Sequence, residues 1–451
     1  MRRVVVVGAD AAGMSAASQA LRVAGGDLEV VACESTTHTS YSACGIPYWM
    51  AGDVPDGDAL VARTAVEHRE NGIDLRLRHE VTGLDLSAGE VEVHDHERSH
   101  TYRLGYDEVV LATGAEALLP DWARAGDAVL PVKTLDDGAA WRRIVAERRP
   151  ACALVVGGGY IGVEVAESFA RLGITTTLVT RGAEPMSSSF EPAMGALVRR
   201  ALERLGVDVV TGTEVTALEP AGSDGVGARA ACVGGVEYAA DVVALGIGVR
   251  ARTALAVGAG LAVGAHGGLV PDDRQVLADG VWAAGDCCEV WDRVLGEHWF
   301  VPLGTHANKA GRVAGTNLGG GSACFPGVVG TAITRAGDAE VARTGLLVEW
   351  ARRAGRDAVS LTVESTTAAG YMPESDPMTV TAIGERGTGL LLGMQIVGGR
   401  GAGKRIDVAA TALWNGMRAD DVAMLDLAYA PPFSPVWDPV QIACRKLALE
   451  L

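Results

Sequence analysis

Ala153-Leu154-Val155-Val156-Gly157-Gly158-Gly159-Tyr160-Ile161-Gly162 runs from a short apolar strand straight into a glycine turn. A helix pattern follows through Glu164 to Leu172, and then a β-branched stretch, Thr176–Val179. This is the start of a βαβ unit. The spacing of Gly157, Gly159 and Gly162 has a physical reason. The first glycine permits the tight bend, the second lets backbone approach a pyrophosphate, and the third lets helix pack on strand. Free N–H groups at the start of the helix then face the phosphates. Tyr160 and Ile161 stand within the turn, and Glu164 opens that helix pattern.

The same plan occurs at the start of the chain. The strand Val4–Val7 meets Gly8-Ala9-Asp10-Ala11-Ala12-Gly13, a helix runs through Ser15 to Val23, and a strand Leu28–Ala32 ends near Glu34. Asp10 stands where the second copy has its middle glycine. Two copies in phase, each between a strand and a helix, predict two dinucleotide sites. Glu34 lies 21 positions after Gly13, the spacing of a carboxylate that accepts from a ribose hydroxyl. The comparable strand end of the second copy reads Thr180-Arg181. No carboxylate repels a 2′-phosphate there, and a guanidinium can pair with one, which favours NADPH over NADH; a solvated loop arginine is the bland alternative.

Further pieces repeat. Asp107–Ala112 enters Thr113-Gly114, and Asp241–Leu245 enters Gly246-Ile247-Gly248. Val281-Trp282-Ala283-Ala284 ends in Gly285-Asp286. That carboxylate fits either a sugar alcohol of a cofactor or the cap of a following helix.

The chain has 451 residues, 48% hydrophobic and 21% charged, which fits a soluble globular protein of two or three domains. A formal net charge of −17 argues against nucleic acid and anionic membrane as partners. No stretch approaches a membrane span. Met1-Arg2-Arg3 and the valines after it read as a buried strand, not an export signal, so a cytoplasmic location is expected. There the eight cysteines should be reduced, and their irregular spacing fits no metal site. Cys44, in Ser42-Ala43-Cys44-Gly45-Ile46-Pro47-Tyr48, is the exception by position. It follows Glu34 by ten residues, which sets a thiol beside a bound dinucleotide. Tyr41 and Pro47 exclude a Cys-x-x-Cys pair, so the second sulfur has to come from a small molecule. Cys287-Cys288, vicinal thiols beside Asp286, read as structural.

These residues together resemble the flavoprotein pyridine nucleotide–disulfide oxidoreductases, within them the single-cysteine branch, and there coenzyme A-disulfide reductase and NAD(P)H-dependent persulfide reductase most. Thr305-His306-Ala307-Asn308-Lys309-Ala310-Gly311-Arg312, Lys404-Arg405-Ile406-Asp407 and Leu427 to Ser434 carry the likeness onward. The resemblance implies an α/β fold of two Rossmann-like dinucleotide-binding domains plus a C-terminal α+β dimerisation domain. A discontinuous FAD domain would take residues 1–115 and 250–325, an NAD(P)H domain 116–249, and the dimerisation domain 326–451. FAD would contact Gly8, Ala12, Gly13, Glu34, Ser42, Thr113, Gly114, Gly285, Asp286, Gly304, Thr305 and Ala307. NAD(P)H would contact Gly157, Gly159, Tyr160, Ile161, Gly162, Glu164, Thr180, Arg181 and Gly248.

Cys44 would be the redox centre. Tyr371 and Tyr429 would be catalytic residues that complete the other subunit's site in a homodimer; read as residues alone, they fit interface aromatics equally well. The peroxidases and water-forming oxidases of the branch carry a His in the first glycine turn. This chain has Asp10-Ala11-Ala12 there, which points away from oxygen and peroxide and toward a disulfide or persulfide, coenzyme A among the candidate thiols. A helix just beyond Gly45 is expected to favour the Cys44 thiolate.

Overall fold

A computed structural model of the chain describes residues 1–124, 129–220 and 227–451, with backbone alone at 124 and 220. The N-terminal sheet has six strands. In spatial order they are Val276–Ala278, Val281–Ala283, Glu108–Leu111, Arg2–Val7, Leu28–Glu34 and Ile73–Leu77. The neighbours of Arg2–Val7 run parallel to it, with Val4 opposite Val30 on one side and Glu108 on the other. Val4, Val5 and Val6 are buried on both faces, as a central parallel strand requires. Strand 281–283 joins this sheet beside strand 108–111, so the segment containing Gly285 and Asp286 returns to the first unit from far along the chain.

The second glycine turn belongs to a separate five-stranded sheet, ordered Asp208–Val210, Thr175–Val179, Cys152–Val156, Val242–Leu245 and Val129–Pro131. Two three-stranded antiparallel sheets, at 79–105 and 215–240, flank the parallel ones. The C-terminal part is a five-stranded antiparallel sheet from Ala332 to Gly398. The helices Ile406–Trp414, Ala419–Ala423 and Pro439–Leu447 pack on it through a core that includes Met378, Ile396 and Val440. Among the described residues no helix is long and apolar enough to cross a membrane.

Small residues set the closest approaches. The helix Ala11–Ala24 lies against the helix Gly304–Leu318. A Cβ on Gly311 would stand 2.2 Å from the carbonyl oxygen of Ala12, and one on Gly315 2.3 Å from that of Ala16. Any larger side chain would force the two helices apart.

Candidate active site

The first glycine turn is built as its spacing predicts. Gly8 has φ +96°, and a Cβ there would lie 2.2 Å from the carbonyl oxygen of Ala112. A Cβ on Gly13 would meet the carbonyl oxygen of Gly8 at 1.9 Å. Gly285, at φ +90°, abuts the methyl of Ala12, and Ala307 is its next neighbour. The fold thus gathers Gly8, Ala12, Gly13, Thr113, Gly285 and Ala307 from four separate stretches. Gly114, at φ +70°, accepts from the backbone of Arg252, and the Thr113 hydroxyl donates to the Arg252 carbonyl at 2.6 Å. Gly304 and Thr305 open the helix Gly304–Leu318.

In the second turn, Gly157 has φ +107° and lies against Gly246, while Gly158 lies against Thr180. Gly159 differs from both, because a Cβ there would meet nothing within 4 Å. The space in front of the middle glycine is therefore open, with no described protein atom filling it. The helices Ala11–Ala24 and Tyr160–Arg171 both start without a side-chain cap, at Asp10 and Gly159, so neither N-terminal turn has its N–H groups taken by a capping side chain. Two uncapped helix starts beside open or glycine-lined turns fit the diphosphates of FAD and of NAD(P)H.

The Glu34 carboxylate accepts from the backbone N–H of Ala9 at 2.8 Å and from that of Thr36 at 2.9 Å, which holds it buried at the first turn. No helix follows Asp286, so the capping alternative falls. Its carboxylate lies 3.8 Å from Lys133 Nζ, and burial raises its pKa against the pull of that ammonium. Arg181 is 82% exposed, with Glu214 4.0 Å away, while Thr180 is buried and Gly248 has φ +109°.

Cys44 sits in a short 3₁₀ turn, Ala43–Gly45, which leads into the helix Ile46–Ala51. Its side chain is solvent-accessible, and the other seven cysteines are free thiols too. Cys287 and Cys288 are buried, with their sulfurs 3.8 Å apart and unbonded. The helix beyond Gly45 is present, but the expectation of a favoured thiolate is not met by the surrounding protein groups. Crowding by protein pushes the thiol up, and Glu164 and Asp286 push the same way; Lys133 and a backbone N–H pull it down. Two carboxylates outweigh one ammonium, a balance that no local motif reveals.

Lys133, Thr334 and Arg335 escaped the sequence reading because they arrive from distant segments. Lys133 comes from the stretch between the strand Val129–Pro131 and the helix Leu135–Arg148. The Asp10 carboxylate accepts from the backbone N–H of Tyr41 at 3.2 Å, tying the glycine turn to the Cys44 loop. Burial raises its pKa to about 6. Burial also raises Glu164 to about 7, with the Thr334 hydroxyl donating to it at 2.6 Å from the C-terminal sheet. Arg335 of that sheet stacks on the ring of Tyr48, 4.9 Å from its centroid, and pairs with Glu167 at 3.2 Å. The Ser168 hydroxyl donates to the Pro47 carbonyl at 2.8 Å. The Cys44 helix is thus gripped by the second nucleotide unit and by the C-terminal sheet.

Tyr371 and Tyr429 lie in that C-terminal part, 75% and 49% exposed, and among the described residues no hydrogen bond joins either to the Cys44 turn. Their segments are neighbours, since the Ala369 N–H donates to the Pro431 carbonyl. Arg405 fixes them further. It donates to the carbonyls of Thr367 and Phe433 and pairs with the buried Asp438 at 2.9 Å. Phe433, Val436 and Met424 are also highly exposed. Among the described residues no group of three or more His, Cys, Asp or Glu could hold a metal ion.

Comparison with known proteins agrees with this fold. Residues 2–307 match the model of the pyridine nucleotide-disulphide oxidoreductases, and residues 332–439 match the dimerisation domain of the same group. An NAD(P)H sulfur oxidoreductase (CoA-dependent) of Pyrococcus abyssi is 34% identical over 450 residues, 99% of this chain and 98% of that one. An NADH oxidase of Methanocaldococcus jannaschii is 31% identical, over 98% of each. The structure of an NAD-dependent persulfide reductase from A. fulgidus superposes with a TM-score of 0.94 at 33% identity. It covers 99% of this chain and 83% of its own.

Proposed function

The chain belongs to the pyridine nucleotide-disulphide oxidoreductases, enzymes that take FAD and NAD(P)H, and on that premise we propose that it reduces coenzyme A disulfide, or a related low-molecular-weight disulfide or persulfide, through Cys44. The observation that carries this reading is the Cys44 turn itself. An accessible thiol, Cys44, stands at the junction of both nucleotide units and the C-terminal sheet, while Cys287 and Cys288, beside Asp286, are buried. One protein sulfur suffices when the substrate brings the second.

FAD, when bound, relays the reducing equivalents of the nicotinamide to sulfur. The uncapped start of the helix Ala11–Ala24, with Gly8, Ala12 and Gly13, holds its diphosphate. Glu34, Ser42, Thr113, Gly114, Asp286, Gly304 and Thr305 line the rest of its site. Gly157, Gly159, Gly162 and Thr180 hold the second nucleotide, Tyr160, Ile161, Glu164 and Gly248 flank it, and exposed Arg181 meets the 2′-phosphate of NADPH. The Cys44 thiolate attacks one sulfur of the substrate disulfide. A Cys44–substrate disulfide forms, the original S–S bond breaks, and the departing thiolate takes a proton. Two electrons and a proton then release the second thiol and restore Cys44. The partner subunit's Tyr371 and Tyr429 protonate the departing sulfur across the dimer. Eight free cysteines suit a reducing compartment, and we place the enzyme in the cytoplasm.

The test is Cys44→Ser. Disulfide reduction is expected to vanish while bound flavin is still bleached by NADPH; full turnover in the variant would overturn the mechanism. The second reading, an oxidase passing through a Cys44 sulfenic acid, is favoured by the NADH oxidase relative. It is opposed by Ala11 and Ala12, which put no imidazole in the first turn. Oxygen consumption faster than disulfide turnover would select it.

A further inference from the structure

Ser40 is one of the few residues other than glycine with positive φ, at +48°. It lies four positions before Cys44, in the stretch that enters the redox turn. A side chain in the left-handed region is strained, and such strain persists only where neighbours hold it. Two groups do so. The Ser40 carbonyl accepts from the Ala62 N–H at 2.8 Å. The Ser40 hydroxyl and Nε2 of His68 share a hydrogen bond of 2.8 Å.

His68 is itself firmly placed. It lies on the helix Ala65–Glu70, whose start is fixed by a reciprocal cap between Thr64 and Glu67. The same helix is tied to the nucleotide-binding sheet by Arg69, which donates to the Leu75 carbonyl at 3.0 Å. The imidazole is 2% exposed, and its other nitrogen, Nδ1, is buried without a partner among the described residues. A half-satisfied buried imidazole is a poor choice for filling a core, where an apolar ring of similar size would do better. Its single bond goes to the strained residue at the entry to the Cys44 turn.

We propose that His68 is a positioning residue for the chemistry at Cys44, holding Ser40 in its left-handed conformation and so fixing the path of the chain into the redox turn. The inference rests on the reading of Cys44 as the reacting sulfur. It predicts that the His68–Ser40 bond matters for sulfur chemistry and not for hydride delivery.

The experiment uses the flavin-loaded enzyme and four variants, His68→Phe, Ser40→Ala, Ser40→Gly and His68→Phe with Ser40→Gly. Three quantities are measured: the rate of Cys44 alkylation by iodoacetamide after NADPH reduction, kcat/KM for coenzyme A disulfide, and the rate of flavin bleaching by NADPH. Loss of one hydrogen bond predicts that His68→Phe and Ser40→Ala each lower the first two by roughly fivefold and leave bleaching unchanged. Glycine adopts φ +48° freely, so Ser40→Gly keeps near-native rates, and adding it to His68→Phe restores most of the loss. Unchanged alkylation and turnover in His68→Phe would overturn the proposal. So would a uniform fall in all three quantities, or no rescue by glycine. If His68→Phe fails to retain flavin, the contrast between Ser40→Ala and Ser40→Gly decides. Alkylation reports the setting of Cys44 whatever the substrate, so a failure here is distinct from retained turnover in Cys44→Ser, which would sink the functional reading instead.

Discussion

Gly159→Ala separates folding from nucleotide binding with a single methyl. The residue has φ −78° and ψ −171°, extended backbone open to any side chain, and a Cβ there meets no protein atom within 4 Å. Two small effects on stability oppose each other. Alanine restricts the unfolded chain and stabilises by about 0.4–1 kcal/mol. It is also a poorer helix N-cap than glycine, at a cost of roughly 0.5–1 kcal/mol. The net change is expected to stay within about 1 kcal/mol, so the melting temperature barely moves. The nucleotide experiences the change differently. A methyl where backbone should approach a diphosphate displaces it and loses a charge-assisted hydrogen bond of about 1.5–3 kcal/mol, roughly a 10- to 100-fold weakening. The assay is stopped-flow bleaching of the flavin over a range of NADPH concentrations, beside a thermal melt. Native half-saturation with a native melt would refute the assignment of the open space at Gly159 to the nucleotide.

Two further predictions concern charge. Arg181→Ala should lower the ratio of kcat/KM for NADPH over NADH by roughly tenfold or more, since a guanidinium–phosphate bond is lost only with NADPH; an unchanged ratio in steady-state assays would make Arg181 a solvated loop residue. Glu164→Gln should alter two pH profiles. Burial raises the Glu164 pKa from 4.5 to about 7, so the folded state binds its proton more tightly than the unfolded chain does. That contribution to stability is intact below about pH 4.5 and is lost as pH rises through about 7. The wild type should therefore lose stability relative to Glu164→Gln across this window in urea melts. Ionised Glu164 also opposes the Cys44 thiolate, so the variant should be alkylated faster near pH 8. Parallel profiles in both measurements would remove Glu164 from the electrostatics of Cys44.

The glycine turns were legible in the linear chain because their requirements are local. Gly8 and Gly157 need positive φ and Gly13 and Gly162 need the absence of a Cβ, and each demand leaves a glycine at a fixed spacing. Cys44 was legible because its motif lies a short way past Glu34. The helices came out longer at their starts than the apolar pattern indicated, Ala11–Ala24 against Ser15–Val23 and Tyr160–Arg171 against Glu164–Leu172, because each uncapped first turn carries the third glycine of its motif, a residue that reads as turn in the linear chain.

The repeated nucleotide-binding plan and the position of Cys44 just past the first unit can be read along the linear chain. The surroundings of that sulfur arise only on folding. Lys133, Asp286, Glu164 and His68 approach the Cys44 loop from segments up to more than two hundred residues away, and Thr334 and Arg335 reach its supports from the C-terminal sheet. Electrostatic balance at a thiol is a sum over distances in space, and spacing along the chain carries no record of it. Tyr371 and Tyr429 show the same division at a larger scale. Their motifs are local, but both stand exposed on the single chain, in the part that matches the dimerisation domain.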